Sequence, residues 1–327
     1  MVKIGVLLAT RGLVMRAMRE SRPADASLVP TFAERAEAAG LDSIWVGDSL
    51  LSKPRLEPVA TLAAIAGRTS RIRIGTAVLL PALRHPLTLA HSLATVDILS
   101  QGRLVIGAGV GGGFTPAQQQ DWTATGVSPQ ARAGRLTEMV QVMKRLWSED
   151  HVSFFGKHFT LEDVTLDPKP IQPGGPPILL ATHLATGSEA QYRRAARHAS
   201  GIMGISDSPN DYVQVLRRVG ELATAEGRDW EDMERAFYMT VNINSNAEAG
   251  AAEADDFLMA YYGVRHWTGR WGPWGDTQAV AEAMAAYAEA GARELVVRFA
   301  SWDQASQLDQ FVGKVVPAFR ELVGSGA

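Results

Sequence analysis

Short, uniformly apolar runs alternate along the chain with longer stretches in which apolar residues recur every three or four positions. The runs are KIGVLLA (3–9), SIWVG (43–47), IRIGTAVLL (72–80), RLVIGA (103–108), ILLA (178–181), GIMGI (201–205), RAFYMTVNI (235–243) and ELVVRFA (294–300). None alternates apolar with polar, so each predicts a strand covered on both faces. Between them lie amphipathic helical patterns. LVPTFAERAEAAG closes on Gly40, a helix C-terminal signal. EPVATLAAIAG, HPLTLAHSLATVDILSQG, ARAGRLTEMVQVMKRLW, SEAQYRRAARHASG, SPNDYVQVLRRVGELATAEG, TQAVAEAMAAYAEAG and QLDQFVGKVVPAFRELVG follow the same plan.

Strand and helix in strict alternation, eight times over, predict an α/β fold of the (β/α)8 TIM-barrel type, read as a single domain over residues 1–327. An open doubly wound sheet would leave the same local pattern. Two connections are too long for simple units, predicting insertions after strand 4 and strand 7. Residues 148–177 carry five prolines and several aromatics, and residues 257–276 carry three tryptophans and two tyrosines. Loops of that length are functional or disordered, and the aromatic density argues for order.

Composition narrows the partners. The net charge is −3, so no basic field recruits nucleic acid or an anionic membrane, and no apolar run is long enough to span a bilayer. The opening MVKIGVLLATRG is too short in apolar residues for a signal peptide, so a cytoplasmic protein is expected. Cysteine is absent, which excludes disulfides, thiolate metal sites and a cysteine nucleophile.

The segment LVIGAGVGGGFTP (104–116) poses the functional question. Gly107, Gly109 and Gly112 fit the dinucleotide fingerprint, which would make the chain an NAD-dependent dehydrogenase. That fingerprint needs a helix opening at its third glycine. FTPAQQQDWTATGVSPQ has two prolines and no early apolar period, and helical pattern resumes only near Arg132. The run also follows the fourth strand rather than the first. Glycines that merely permit a tight turn, or a barrel rim where backbone approaches a flat ligand, are the other readings.

In a barrel the chemistry sits at the C-terminal strand ends. Those ends are poor in the groups that other barrel chemistries need. Only Asp48 and Asp207 are acids near the rim, too few for a glycosidase pair with its neighbours. The seven histidines show no metal-binding spacing, so no metal is expected. None of the lysines lies at a strand end to form a Schiff base. A small, apolar, backbone-rich mouth suits a bulky flat cofactor that brings its own reactivity. Thr10, Ser49, Thr76, Thr182 and His183 are the neutral groups able to bond its polar edge.

Four stretches carry a resemblance over nearly the whole chain: AERAEAAGLDSIWVGDSL, RIRIGTAVLLPALRHPLTLAHSLATVDILSQGRLVIGAGVG, FFGKHFTLEDVTLDPKPIQPGGPPILLA and AVAEAMAAYAEAGARELVVRFA. In this order they resemble the bacterial luciferase-like oxidoreductase superfamily. The resemblance implies a barrel binding reduced FMN or coenzyme F420, an 8-hydroxy-5-deazaflavin, at its C-terminal mouth, commonly as a homodimer. It implies a non-prolyl cis peptide at Ala77–Val78, next to Thr76, and a rim Gly109-Val110-Gly111 beside the ring. Thr182, His183 and Leu184, with Gly204 and Ile205, would meet the cofactor phosphate, although many relatives have glycine at the Thr182 position. Asp48 falls where relatives place an acid near ring or substrate; a helix cap or structural hydrogen bond is its other reading. His85 is either a helix-start residue or a substrate-side catalytic group. Arg11, Arg16, Arg19 and Arg22 lie where a polyanionic tail or plain solvent would meet them. Trp267, Trp271 and Trp274 are candidate walls of a lid, or else packing residues.

Deazaflavin-dependent sugar-phosphate dehydrogenases of this kind carry a histidine and a glutamate where this chain has Ser49 and Gly112. That acid–base pair is missing, so that activity is not expected. The expectation is an enzyme using reduced F420 ahead of FMN, for hydride transfer to, or monooxygenation of, a small hydrophobic organic molecule. An NAD-dependent dehydrogenase and a non-catalytic flavin-binding barrel are the rival readings.

Overall fold

The computed structural model describes residues 1–185, 187–263, 265 and 271–324. Eight parallel strands form the barrel: β1 (Lys3–Leu7), β2 (Ser43–Val46), β3 (Arg73–Leu79), β4 (Leu104–Ala108), β5 (Ile178–Thr182), β6 (Gly201–Ile205), β7 (Glu234–Ile243) and β8 (Glu294–Phe299). Each pairs with its sequence neighbours, β8 pairs with β1, and β6 pairs with β7, so the sheet closes on itself. All eight apolar runs are therefore strands of one closed barrel, and the open-sheet alternative is excluded.

Alternation along each strand sorts side chains into a packed interior and a shell that meets the helices. The floor is charged: Arg73 forks onto both oxygens of Glu234 at 3.0 Å and reaches Glu294 at 2.9 Å, with the Ser43 hydroxyl on the other Glu294 oxygen. Above it lie Leu7, Trp45, Val105, Leu179, Met203, Ala236 and Val296. Trp45 fills the centre, its indole N–H donating to Ser43 at 2.7 Å. Gly75 makes room for it, since a Cβ there would stand 2.6 Å from the indole ring. This plug separates the C-terminal mouth from a cavity at the floor, where Lys3, Glu234 and Glu294 begin their strands.

Helices close the outside, most of them started by a side-chain cap. Glu57 accepts the Ala60 N–H ahead of Pro58–Ala66, and Ser188 accepts the Gln191 N–H ahead of Glu189–His198. Three helices exceed the expectation: Thr10–Arg19, Pro116–Ala124 and Ala247–Tyr262. The second corrects the reading of 114–131 as non-helical. Its N-terminus combines Pro116 at the first position with a capping box between Thr115 and Gln118. It opens beyond the glycines, so Gly112 does not begin a helix as a dinucleotide turn requires.

The insertion after strand 4 folds as an antiparallel hairpin, Val152–Phe155 with Thr160–Val164. The Glu138 carboxylate pins its turn by accepting the N–H groups of Lys157, His158 and Phe159 at 2.8–3.1 Å. In the connection after strand 7, 257–262 continue the Ala247–Tyr262 helix, and Trp274–Gly275 lies beside the end of β7. No helix of the described residues is long and apolar enough to cross a membrane.

Candidate active site

The open end of the barrel holds a cavity of about 200 Å³. Leu7, Ala77, Val78, Gly111, Ile205, Tyr238, Tyr261 and Arg298 line it, with Asp48 and the loop that follows β2. A larger apolar groove lies outside the barrel, between the helices Thr10–Arg19 and Leu28–Ala38 and the segment 301–305. It sits away from most of the strand ends.

Backbone forms the wall on the β3–β4 side. The Ala77–Val78 peptide is cis, and the β3–β4 register shifts between Thr76 and Leu79. Thr76 donates its hydroxyl to the Gly107 carbonyl at 2.8 Å. A Cβ at Gly109 would stand 2.9 Å from a Val78 methyl, so bare backbone there is what seats Val78 against the cavity. Gly111 takes φ +76° under Trp122, whose indole donates to the Gly112 carbonyl at 2.7 Å. Val110 packs outward against the main core.

The rim aspartates hold loops. Asp48 is buried, forks onto Arg84 at 2.6 and 3.2 Å, and accepts the Leu80 N–H at 2.9 Å. Asp207 accepts the Leu184 N–H through both oxygens at 3.0 Å. Asp121, on the unexpected helix, accepts Leu51 N–H at 2.6 Å and Ser52 N–H at 3.0 Å, fastening the loop after β2. His85 caps the helix Pro86–Leu99 through Nδ1 and meets the edge of Phe159, outside the cavity.

At the end of β5 three buried polar atoms lack a hydrogen-bond partner: Thr182 Oγ1, His183 Nδ1 and Gln191 Oε1. Gln191 is fastened here by donating Nε2 to the Ala181 carbonyl at 3.1 Å. Burial holds the His183 imidazole below its ordinary pKa, hence neutral near pH 7. Unpaired buried polar atoms are costly, so each of these three atoms near the end of β5 is a candidate to meet a polar ligand group. Gly204 faces outward instead, toward the rings of Tyr212 and Phe237.

Across the mouth the lining is aromatic and basic. Arg298 is buried on β8, donates to Thr240 at 3.1 Å and to the Tyr262 hydroxyl at 2.7 Å, and lies 4.9 Å from the Trp271 ring. Trp271 donates to the Ser206 hydroxyl at 2.8 Å and so bridges the β6 end to this cluster. Trp274 packs with the helix Ala247–Tyr262, and Trp267 lies outside the described residues. Lys53, Arg55, Tyr238, Tyr261 and Arg298 were not singled out from the sequence. One signal was there: an arginine inside the otherwise apolar strand ELVVRFA. Among the described residues no group of His, Asp and Glu is arranged to hold a metal.

Comparison with known proteins agrees with this geometry. The profile of the family described as luciferase-like monooxygenase matches residues 2–271. An F420-dependent glucose-6-phosphate dehydrogenase of Kineococcus radiotolerans is 30% identical, over 88% of this chain and 92% of its own. An F420-dependent secondary alcohol dehydrogenase, solved with an F420–acetone adduct, superposes with a TM-score of 0.78 at 21% identity, covering 98% and 99% of the two chains. A monooxygenase from Streptomyces bottropensis superposes at 0.77 and 22% identity, covering 97% and 99%.

Proposed function

Because the chain belongs to the luciferase-like monooxygenase family, we propose that it is an oxidoreductase that seats a reduced flavin-type cofactor in this mouth, F420 ahead of FMN. The carrying observation is the unpaired set Thr182 Oγ1, His183 Nδ1 and Gln191 Oε1 at the β5 rim. Those groups fit the polar chain of such a cofactor, and the wall of Ala77, Val78, Gly109 and Gly111 fits the face of its ring, with the Val110 side chain turned away into the core. The names of the relatives favour the deazaflavin.

When bound, the reduced cofactor supplies a hydride. The chain's own residues orient, exclude water and manage a proton. Thr182, His183, Leu184 and Ile205 hold the cofactor on the β5–β6 side, with Gly204 allowing the strand to pack. Asp48 acts as a positioning residue: its carboxylate keeps Leu80 and Arg84, and with them the end of β3, in place. Tyr261 lines the cavity and is the group assigned to carry the proton. Burial alone would raise its pKa, but Arg55, Arg298, Arg11 and Lys53 outweigh burial and hold it below the ordinary phenol value. A small organic substrate whose skeleton rests on Tyr261, Tyr262 and Trp271 matches these walls.

Titration of the purified protein with F420, FMN and NADH, each followed by its own absorption or fluorescence, tests the proposal. F420 is expected to saturate at the lowest concentration. Saturation by NADH alone, or by none of the three, overturns it.

A further inference from the structure

Four cations surround the aromatic side of the mouth. The guanidinium carbons of Arg11, Arg55 and Arg298 lie 5.1, 5.6 and 5.1 Å from the centre of the Tyr261 ring. Lys53 Nζ lies 4.6 Å from the centre of the Tyr262 ring. None of the four pairs with a carboxylate among the described residues. The nearby acids are engaged elsewhere, Asp48 with Arg84 and Asp121 with the loop backbone. Arg11 is held to the Tyr261 carbonyl at 2.9 Å and Arg55 to the Lys53 carbonyl at 3.3 Å, which positions the charges without neutralising them. Arg298 Nη2, both Arg55 Nη atoms and Lys53 Nζ have no acceptor among the described residues. The charged floor of the same barrel shows the contrast, since there Arg73 has two glutamates.

Partly buried positive charge without a counter-charge costs stability, because tyrosine faces return only a fraction of lost hydration. The strain is visible at Lys53. Burial, with Arg55, Arg11 and Arg298 adding to it, lowers its pKa to about 8 despite the opposing effect of Tyr261. An arrangement that costs the free protein and offers convergent unpaired donors is built for an anion.

We infer that the substrate is an organic anion whose carboxylate or phosphate monoester is held by Lys53, Arg55 and Arg298, with Arg11 behind them, while its skeleton lies on the tyrosines. This rests on the reading of the mouth as the cofactor and substrate site. The anion position is separate from the cofactor cradle. Lys53, Arg55, Arg11 and Arg298 stand at the adjacent ends of β8, β1 and β2, whereas Thr182 and His183 end β5, on the opposite side of the ring of strands. A ligand anchored at one rim therefore leaves the other rim free for a second.

The test titrates the full-length protein with benzoate, phenyl phosphate and neutral benzamide, reading tryptophan fluorescence, with and without saturating F420. At least one anion is expected to bind about tenfold or more tightly than benzamide, and the stronger of the two identifies carboxylate or phosphate. Lys53→Met and Arg298→Met should each weaken that anion about tenfold or more and leave benzamide unchanged. Lys53→Met lies on a loop and keeps the test valid if Arg298→Met fails to fold. Anion affinity should fall as pH rises through about 8, where Lys53 loses its proton, and Lys53→Met should abolish that fall. Equal binding of anion and benzamide overturns the inference. So does displacement of F420 by the anion, which would assign the four cations to the cofactor's tail. Failure of both F420 and FMN to bind would sink the functional proposal while the anion titrations on the free protein still decide this one.

Discussion

Replacing Thr182 by valine separates what the free fold needs from what a ligand needs. The Thr182 side chain is fully buried and its oxygen has no partner. A buried hydroxyl left unpaired costs about 1–3 kcal/mol. Valine has nearly the same shape, so no cavity forms and the cost is relieved. The cofactor-free variant should therefore be more stable than the parent by about 1 kcal/mol, a rise of about 2 °C in Tm for a chain of this size. With cofactor the sign reverses. A hydrogen bond to a charged group contributes about 1.5–3 kcal/mol, so Kd for F420 should rise about 10- to 100-fold. Thr182→Ser, which keeps the hydroxyl, should retain affinity within about threefold. Denaturant unfolding of the free proteins and fluorescence titration with F420 measure the two effects separately. A valine variant less stable than the parent would mean that the hydroxyl already serves the fold. A stabilised variant with unchanged affinity would place the cofactor phosphate elsewhere.

Two further outcomes follow from hydrogen-bonded carboxylates. Asp48→Asn leaves Arg84 facing a neutral group; because Arg84 keeps Glu57 at 3.0 Å and some solvent, the loss should be about 2–3 kcal/mol, below the usual cost of breaking a buried pair, measured by urea unfolding. Unchanged stability with collapsed turnover would show Asp48 acting chemically rather than as a positioning residue. Glu37 is held at a pKa of about 2: burial alone would raise it, but the N–H groups of Ile72, Arg71 and Ser70 prevail. A lowered folded pKa means stability present above the unfolded value and lost as pH falls through the folded one. The advantage of the parent over Glu37→Gln should therefore shrink between about pH 4.5 and 2, and a constant gap would refute it.

The strands were legible because a barrel strand is covered on both sides and must be apolar throughout. What escaped had physical reasons to be silent. The helix Pro116–Ala124 buries only Asp121 and Trp122, so it shows no apolar stripe, and only the Thr-Pro-x-Gln start betrays it. The first half of Ala247–Tyr262 is alanine, glycine and acid, a helix former without a hydrophobic period, so only its aromatic end drew notice. The cation cluster was invisible for a different reason. Lys53 and Arg55 lie two residues apart, but Arg11 and Arg298 join them only when β1, β2 and β8 lie side by side, and no local window contains that event.

The same closure explains why a rim with few acids and scattered bases turns into a polarised mouth. Asp48, Asp121 and Asp207 each accept backbone N–H groups from a rim segment, which fixes where their charges sit; Asp48 and Asp121 form no ion pair with Arg11, Lys53, Arg55 or Arg298. The aspartates that fasten the loops are thereby held away from ion-pair distance of the four bases. An uncompensated charge of this size is tolerable only while solvent or a ligand reaches it. The residues that shape the pocket and the residues that charge it are therefore one system: freeing an aspartate to neutralise a base would unfasten the loop that presents the base. This coupling predicts that rim substitutions act on affinity for anions and on loop order together, whereas the neutral β5 cradle responds to substitution on its own.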